Sequence, residues 1–159
     1  MMNGQTPTQL RPLASGLSPD ERSGAYLLHL SPLLGLLLPS IGHLLGPVAA
    51  WWMLKSSPAL DAQGKEVVNF QLTATVISLL LSVLAFVLIG AGMLGGLAGI
   101  VAPLAGMLSM FGAVGALFAI LLPLSLLLSV YPLVCMVLGL MRASEGQLYR
   151  YPLTIRFLS

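Results

Sequence analysis

The hydrophobic pattern of this chain is dominated by the segment from Val67 to Met141, where 75 consecutive residues include no Asp, Glu, Lys, Arg or His. A helix of that length, rising about 1.5 Å per residue, is far longer than the roughly 30 Å of hydrocarbon in a bilayer. The segment therefore predicts two secure membrane crossings, about Val67 to Ile89 and about Leu117 to Met141. The glycine-rich stretch between them, residues 92–116, is compatible with a turn, a re-entrant segment or a further span.

An earlier apolar block, Ser23 to Leu54, has 32 residues and no Asp, Glu, Lys or Arg, so that only His29 and His43 could carry a charge near neutral pH. Interior prolines remove a helical hydrogen bond and clash with the preceding turn. The block is interrupted by Gly35, Pro39, Gly42 and Pro47. It predicts either one long broken helix or two short helices, about 24–38 and 41–54, folded as a thin or re-entrant hairpin.

The charged residues next to the apolar segments indicate the topology. Lys and Arg are enriched on the cytoplasmic side of membrane proteins, and here they occur on both sides of the uncharged run and near the N-terminus. These residues are Arg11, Arg22, Lys55, Lys65, Arg142, Arg150 and Arg156. We therefore expect an all-α, polytopic bundle of four membrane segments with both termini in the cytoplasm and the glycine-rich stretch as a turn on the far side.

Domain organisation follows from the same pattern. Residues 1–22 are polar and predict a flexible cytoplasmic tail, and residues 23–159 predict a single membrane-embedded domain. Ser18 followed by Glu21 fits a capping box, with Pro19 at the first helical position. At the end of the first block, Trp51 and Trp52 precede Lys55, which is typical of an anchor at the headgroup level.

Composition agrees with a membrane protein, since 57% of residues are hydrophobic, 8% are charged and the mean hydropathy is +0.96. Soluble domains have roughly 25% charged residues. The net charge of +2 comes mainly from juxtamembrane positions, so the expected partner is the lipid bilayer and not nucleic acid. Cys135 is the sole cysteine, which excludes a disulfide within the chain and favours a buried apolar role.

Small residues four apart allow membrane helices to approach closely. Pairs of this kind occur in every apolar segment, namely Gly42 and Gly46, Ser78 and Ser82, Ala91, Gly95 and Gly99, and Ser125 and Ser129. They predict helix–helix contacts, although apolar helices rich in Gly and Ala contain such pairs by chance.

Polar residues around the start of the uncharged segment from Val67 to Met141 are candidate functional positions. Glu66, Asn69 and Thr73 recur at helical spacing, and Gln71 lies on another face. Polar side chains at that depth face protein or water. These residues either form the rim of a cavity or a partner-docking edge, or they make ordinary hydrogen bonds within the bundle.

His29 and His43 are intramembrane polar candidates. A metal or haem role is the alternative to a hydrogen bond with a neighbouring helix carbonyl, and we expect no metal site and no cofactor. The five acidic residues lie at membrane edges or in loops, without an arrangement for acid–base catalysis, and no phosphate-binding loop is present. The sequence therefore predicts a protein that is not an enzyme.

Two charged flanks carry the most specific pattern. They run from Asp61 to Gln71 (DAQGKEVVNFQ) and from Gly146 to Phe157 (GQLYRYPLTIRF), and the stretch Leu27–Ser31 (LLHLS) accompanies them. With these motifs the chain is identified as a member of a bacterial family of small membrane proteins of unassigned function. That family is similar to the twenty-kilodalton subunit of the chloroplast inner-envelope translocon (Tic). The resemblance covers about residues 24–158 and implies four membrane helices, a channel-like role and a location in the bacterial inner membrane.

An even number of crossings brings the two flanks to the same face, where we expect Lys65 or Glu66 to pair with Glu145 or Arg150. Tyr149 and Tyr151 are then expected at the headgroup level. Pro152 is expected to end the last helix and to send residues 153–158 along the surface as an extended segment or an amphipathic anchor.

The favoured function is a non-enzymatic membrane scaffold or channel-like component that acts with a membrane-protein partner or as a homo-oligomer. The alternatives are a small transporter or ion pathway using Glu66 and Asn69, and a histidine-ligated metal or haem protein.

Overall fold

Four helices account for most of the chain in the computed structural model, which describes residues 16–159. A short 3-10 helix, Ser31–Leu36, follows the first of them, and a π-helical turn, Leu117–Leu121, interrupts the last. The helices are α1 (Pro19–Leu30), α2 (Gly42–Leu54), α3 (Pro58–Ala98) and α4 (Pro103–Ser144). No strand is present in this range, so the predicted all-α fold is confirmed.

The described residues divide into two compact units. The first contains the chain up to Val68 together with Leu138–Tyr151, and the second contains Asn69–Val137 together with Pro152–Ser159. The predicted tail, residues 1–22, lies largely outside the described residues. Its last residues begin α1, where the backbone N–H of Ser18 donates to the Glu21 carboxylate at 2.7 Å and Pro19 is the first helical residue.

The first apolar block forms two short helical arms in the first unit, as one of the two interpretations predicts. The chain reverses at residues 37–41, where Ser40 has a φ of +77°. Gly42 and Gly46 allow α2 to pack against the 3-10 helix, because a Cβ on Gly46 would collide with the Ser31 carbonyl and one on Gly42 with the Leu34 carbonyl. The Gly42–Gly46 pair is therefore a true site of close approach.

Helices α3 and α4 are each long and apolar enough to span a membrane. The most apolar 18-residue stretch of each helix is almost entirely exposed, since 6% of it is buried in α3 and none in α4. A buried core helix of a soluble protein would show the opposite, and neither helix lies at the N-terminus. The exposed leucine surface therefore indicates a lipid environment.

The glycine-rich stretch forms the ends of α3 and α4 and the short turn at residues 99–102 between them. Gly99 and Gly106 face each other at this turn, with no room for a Cβ on Gly106. Gly95 packs in the same way against Ser109, so the small residues at the end of α3 make a close helix contact. The stretch is mostly helical and adds no separate span between the two long helices.

The last helix ends at Ser144, eight residues before Pro152, so the expectation that Pro152 ends it was wrong. Gly146 adopts a φ of +74°, its N–H donates to the Ala143 carbonyl, and the N–H of Gln147 donates to the Arg142 carbonyl. This is a Schellman motif, in which a left-handed residue closes the helix. Residues 147–159 continue as a non-helical C-terminal segment.

Candidate functional site

The two charged flanks meet in the first unit through Gln63 and Tyr149. The side-chain Nε2 of Gln63 donates to the Tyr149 carbonyl at 2.9 Å, and its Oε1 accepts the Tyr149 N–H at 2.8 Å. The Gln63 amide thus satisfies both backbone groups of one residue, as a neighbouring strand would. Gln63 is 1% exposed, so this contact lies in the interior of the unit.

His29 and Tyr151 make a second buried contact between α1 and the C-terminal segment. His29 Nδ1 and the Tyr151 hydroxyl share a hydrogen bond of 2.7 Å, and both side chains are buried. Gly139 makes room for the imidazole, since a Cβ there would lie 2.6 Å from His29 Cε1. The expected partner of the histidine was a helix carbonyl, and the structure places a tyrosine hydroxyl there instead.

Aromatic packing surrounds this hydrogen bond. The rings of Tyr149 and Tyr151 contact edge to face, with centroids 4.9 Å apart, and the ring of Tyr149 also lies edge-on to His29 at 6.2 Å. Edge-to-face pairs of this kind add to the energy of burial. Tyr151 is therefore an interior residue of the first unit, and its place at the headgroup level stays a prediction.

Asn69 and Thr73 hold the end of the chain in the second unit. Asn69 Oδ1 accepts the N–H groups of Phe157 at 3.1 Å and Leu158 at 2.8 Å, and its Nδ2 donates to the Leu158 carbonyl at 2.9 Å. Thr73 Oγ1 accepts the N–H of Ile155 at 3.0 Å. Two of the three residues of the predicted polar stripe, Asn69 and Thr73, thus face the protein's own C-terminal segment.

Tyr131 adds a third contact in the same unit. Its hydroxyl donates to the Pro152 carbonyl at 3.0 Å, and its ring packs against Phe70 with centroids 5.9 Å apart. Pro152 is exposed, and it is the first of the C-terminal residues, Pro152–Ser159, that belong to the second unit. We refer to Asn69, Thr73 and Tyr131 as the Asn69 cluster.

Other candidates from the first flank serve local structure. Lys65 forms an ion pair of 3.0 Å with Asp61 on the same helix, and the indole of Trp51 donates to Asp61 at 2.9 Å. Glu66 is half-buried. Gln71 is buried, and its carbonyl accepts the Thr75 hydroxyl at 2.8 Å.

The charged residues just before the second flank and in its first half lie at the surface of the first unit. Arg142 pairs with Glu145 at 3.4 Å and donates to the Gln147 side chain at 2.6 Å, and Arg150 is exposed. Arg22 from α1 donates to the Ser144 carbonyl at 3.0 Å, which ties α1 to the end of α4. This end of the first unit therefore presents a charged surface on an internally hydrogen-bonded base.

The structure also places the remaining candidates. His43 lies in the first turn of α2, half-buried beside Gly35. Within residues 16–159, no group of three His, Cys, Asp or Glu side chains is arranged to hold a metal ion. Trp52 is exposed, while Trp51 packs over Gly64 with Lys55 5.5 Å from its ring centroid.

An open groove of about 640 Å³ lies in the second unit between α3 and α4. Both serine pairs contribute to its lining, which otherwise consists mainly of leucine and phenylalanine. The hydroxyls of Ser82, Ser125 and Ser129 each donate to a carbonyl of their own helix. The two serine pairs therefore line a groove and do not form a closed helix contact.

Sequence reasoning missed Gln63 and Tyr131. Gln63 lies within the quoted first flank, but an amide among charged residues gives no sign of what it binds. Tyr131 lies in an apolar run beside Pro132, and its polar end could be assigned a partner only once the path of the C-terminal segment was known.

The family model described as the magnetosome magnetite crystal formation protein family matches residues 20–158. No curated protein and no solved structure matches the chain. A bacterial membrane protein family is therefore supported, and the comparisons give no support to a similarity with the chloroplast translocon subunit.

Proposed function

The chain belongs to the MamF/MmsF family, and from this membership we propose that it is a non-enzymatic integral membrane scaffold that acts in magnetite crystal formation. The match includes both charged flanks and both long apolar helices, so it concerns the membrane-embedded part as a whole. We further propose a multi-pass arrangement in the magnetosome membrane, or in the bacterial inner membrane, with both termini in the cytoplasm.

The scaffold proposal rests on the groups that the buried polar side chains bind. Gln63 and Asn69 each bind backbone groups of the C-terminal segment. A permeation path or a ligand site would need such side chains to face a cavity, whereas here they stabilise the chain's own architecture. Internal use of the buried polar groups agrees with a scaffold, which binds its partners through an ordered surface.

The charged end of the first unit is the proposed partner surface. It carries Arg142, Glu145 and Arg150 on a base fixed by the Gln63–Tyr149 and His29–Tyr151 hydrogen bonds. Side chains held on a pre-ordered backbone lose less entropy on binding than those on a flexible loop. We propose that a membrane-protein partner or a second copy binds here.

A deletion strain tests the role in crystal formation. A magnetite-forming bacterium that lacks this protein is complemented with the wild type, and crystal dimensions are measured by electron microscopy. We expect deletion to change crystal size or shape and the wild type to restore it. Unchanged crystals in the deletion strain would contradict the proposal.

Crosslinking tests the partner surface. A photoreactive residue at position 150 should capture one defined protein in native membranes, and the same residue at the exposed, apolar position Leu79 of α3 serves as the control. Lipid adducts alone at position 150 would count against a scaffold that acts through this surface.

A small transporter or ion pathway is the second candidate. The open groove between α3 and α4 favours it, since grooves between membrane helices are common ligand sites. Ion flux into vesicles that contain the wild type or Ser82→Leu, a change in the lining of the groove, distinguishes the candidates. The scaffold proposal predicts negligible flux for both proteins, and a flux that falls in Ser82→Leu would support transport.

A further inference from the structure

The C-terminal segment of the second unit exposes large apolar side chains at alternating positions. Leu153 is 84% exposed, Ile155 55% and Phe157 50%, whereas Thr154 between them is half-buried. Leu153 lies in a turn with a φ of +55°, and Ile155 and Phe157 are two positions apart in the non-helical stretch after it, so the three residues form an exposed apolar face. These three side chains stay exposed in the second unit, although large apolar side chains are costly to expose to water.

The backbone of the same segment is hydrogen-bonded by side chains of the Asn69 cluster. The N–H groups of Ile155, Phe157 and Leu158 and the carbonyls of Pro152 and Leu158 all have partners there. Water satisfies such groups readily in a surface loop. Non-helical backbone near lipid, however, requires protein partners, because the hydrocarbon supplies none.

The depth of the cluster agrees with a low-water setting. Asn69 and Thr73 are the third and seventh residues of the uncharged run, so Thr73 lies about 10 Å along the helix axis from Glu66. The residues of α3 that follow, from Val76 to Leu80, also expose apolar side chains. The segment thus lies at the level where headgroups give way to acyl chains.

We propose that residues 153–157 are a lipid anchor, in which Leu153, Ile155 and Phe157 insert into the acyl region beside α3. The anchor is not helical, and the Asn69 cluster supports it by accepting the N–H groups of Ile155 and Phe157. Arg156 lies between two inserted side chains, at a level where a guanidinium reaches phosphate headgroups. The inference requires α3 to span a bilayer and is independent of any role in crystal formation.

Spin labelling of the full-length protein tests the anchor. Single cysteines at Ile155 and at Glu145 are introduced into a Cys135→Ala background, labelled, and reconstituted in vesicles of phosphatidylcholine and phosphatidylglycerol. Collisions with oxygen, which concentrates in lipid, are compared with collisions with a water-soluble nickel complex. We expect the label at 155 to favour oxygen and the label at 145 to favour nickel.

Two results would overturn the proposal. Equal nickel access at positions 155 and 145 would place the segment in water. Shielding from both reagents, with spin–spin broadening or a captured protein, would place it against a second copy or another protein. A label at Phe157 repeats the measurement independently if the Ile155 variant fails to fold, and it must give the same preference for oxygen.

Discussion

The side-chain amide of Gln63 makes two hydrogen bonds with the backbone of Tyr149, 86 positions away, and so joins the two charged flanks of the chain. Its donor and acceptor match the carbonyl and N–H of a single residue. A buried amide that pairs in this way is costly to remove, since its loss leaves two backbone groups without a partner.

Replacing Gln63 with leucine should therefore destabilise the protein by about 1–3 kcal/mol, because shape is nearly kept while both hydrogen bonds are lost. The measurement is the free energy of unfolding in mild detergent. Gln147→Ala is the matched control, since Gln147 is exposed and should change stability by less than about 0.5 kcal/mol. Equal effects of the two substitutions would contradict the structural role of Gln63.

Tyr151→Phe removes the hydroxyl that binds His29 and leaves the rings in place. We expect a loss of about 1–2 kcal/mol in unfolding free energy, with the larger part due to the unpaired imidazole nitrogen. Tyr26→Phe, in the same helix as His29, provides the comparison. If Tyr26→Phe proved as harmful as Tyr151→Phe, the His29–Tyr151 bond would not be the cause.

Two glycines of α4 should respond to alanine in opposite directions. At Gly139 the added methyl group would lie 2.6 Å from the His29 ring, so we expect destabilisation of about 1–3 kcal/mol. At Gly112 a Cβ meets nothing within 4 Å, and alanine should stabilise the helix by about 0.5–1 kcal/mol. Thermal unfolding of both variants in the same detergent measures the contrast, and shifts of the same sign would contradict the packing described.

Topology supplies a further prediction. If α3 and α4 both cross the membrane, cysteines at Ser57 and Glu145 should react with an impermeant reagent from one side, and a cysteine at Val101 from the other. A reporter fused after Ser159 should report the cytoplasm. Labelling of positions 57 and 145 from opposite sides would break the even number of crossings.

The hydrophobic pattern was sufficient to predict the all-α fold and the two long helices, because these follow from segment length. It left the first block as either one broken helix or a short hairpin, and the positions of the charged residues favoured the hairpin. The spacing of Asn69 and Thr73 correctly indicated one helix face. Their partners were not predictable, since hydrogen bonds to the backbone of residues 155–158 depend on the path of a segment without regular structure. The end of α4 was predicted at Pro152 and not at Ser144. A proline breaks a helix in any sequence, whereas the sequence does not show which glycine adopts a positive φ, as Gly146 does.

We infer that the buried polar side chains of α3 hold the C-terminal segment and do not line a path or ligand site. Hydrogen exchange of the backbone N–H groups of Ile155, Phe157 and Leu158 in reconstituted vesicles tests it most directly. We expect protection of all three in the wild type, and loss of protection at Phe157 and Leu158 in Asn69→Leu with helix protection in α3 retained. Rapid exchange in the wild type, or protection unchanged in Asn69→Leu, would contradict it.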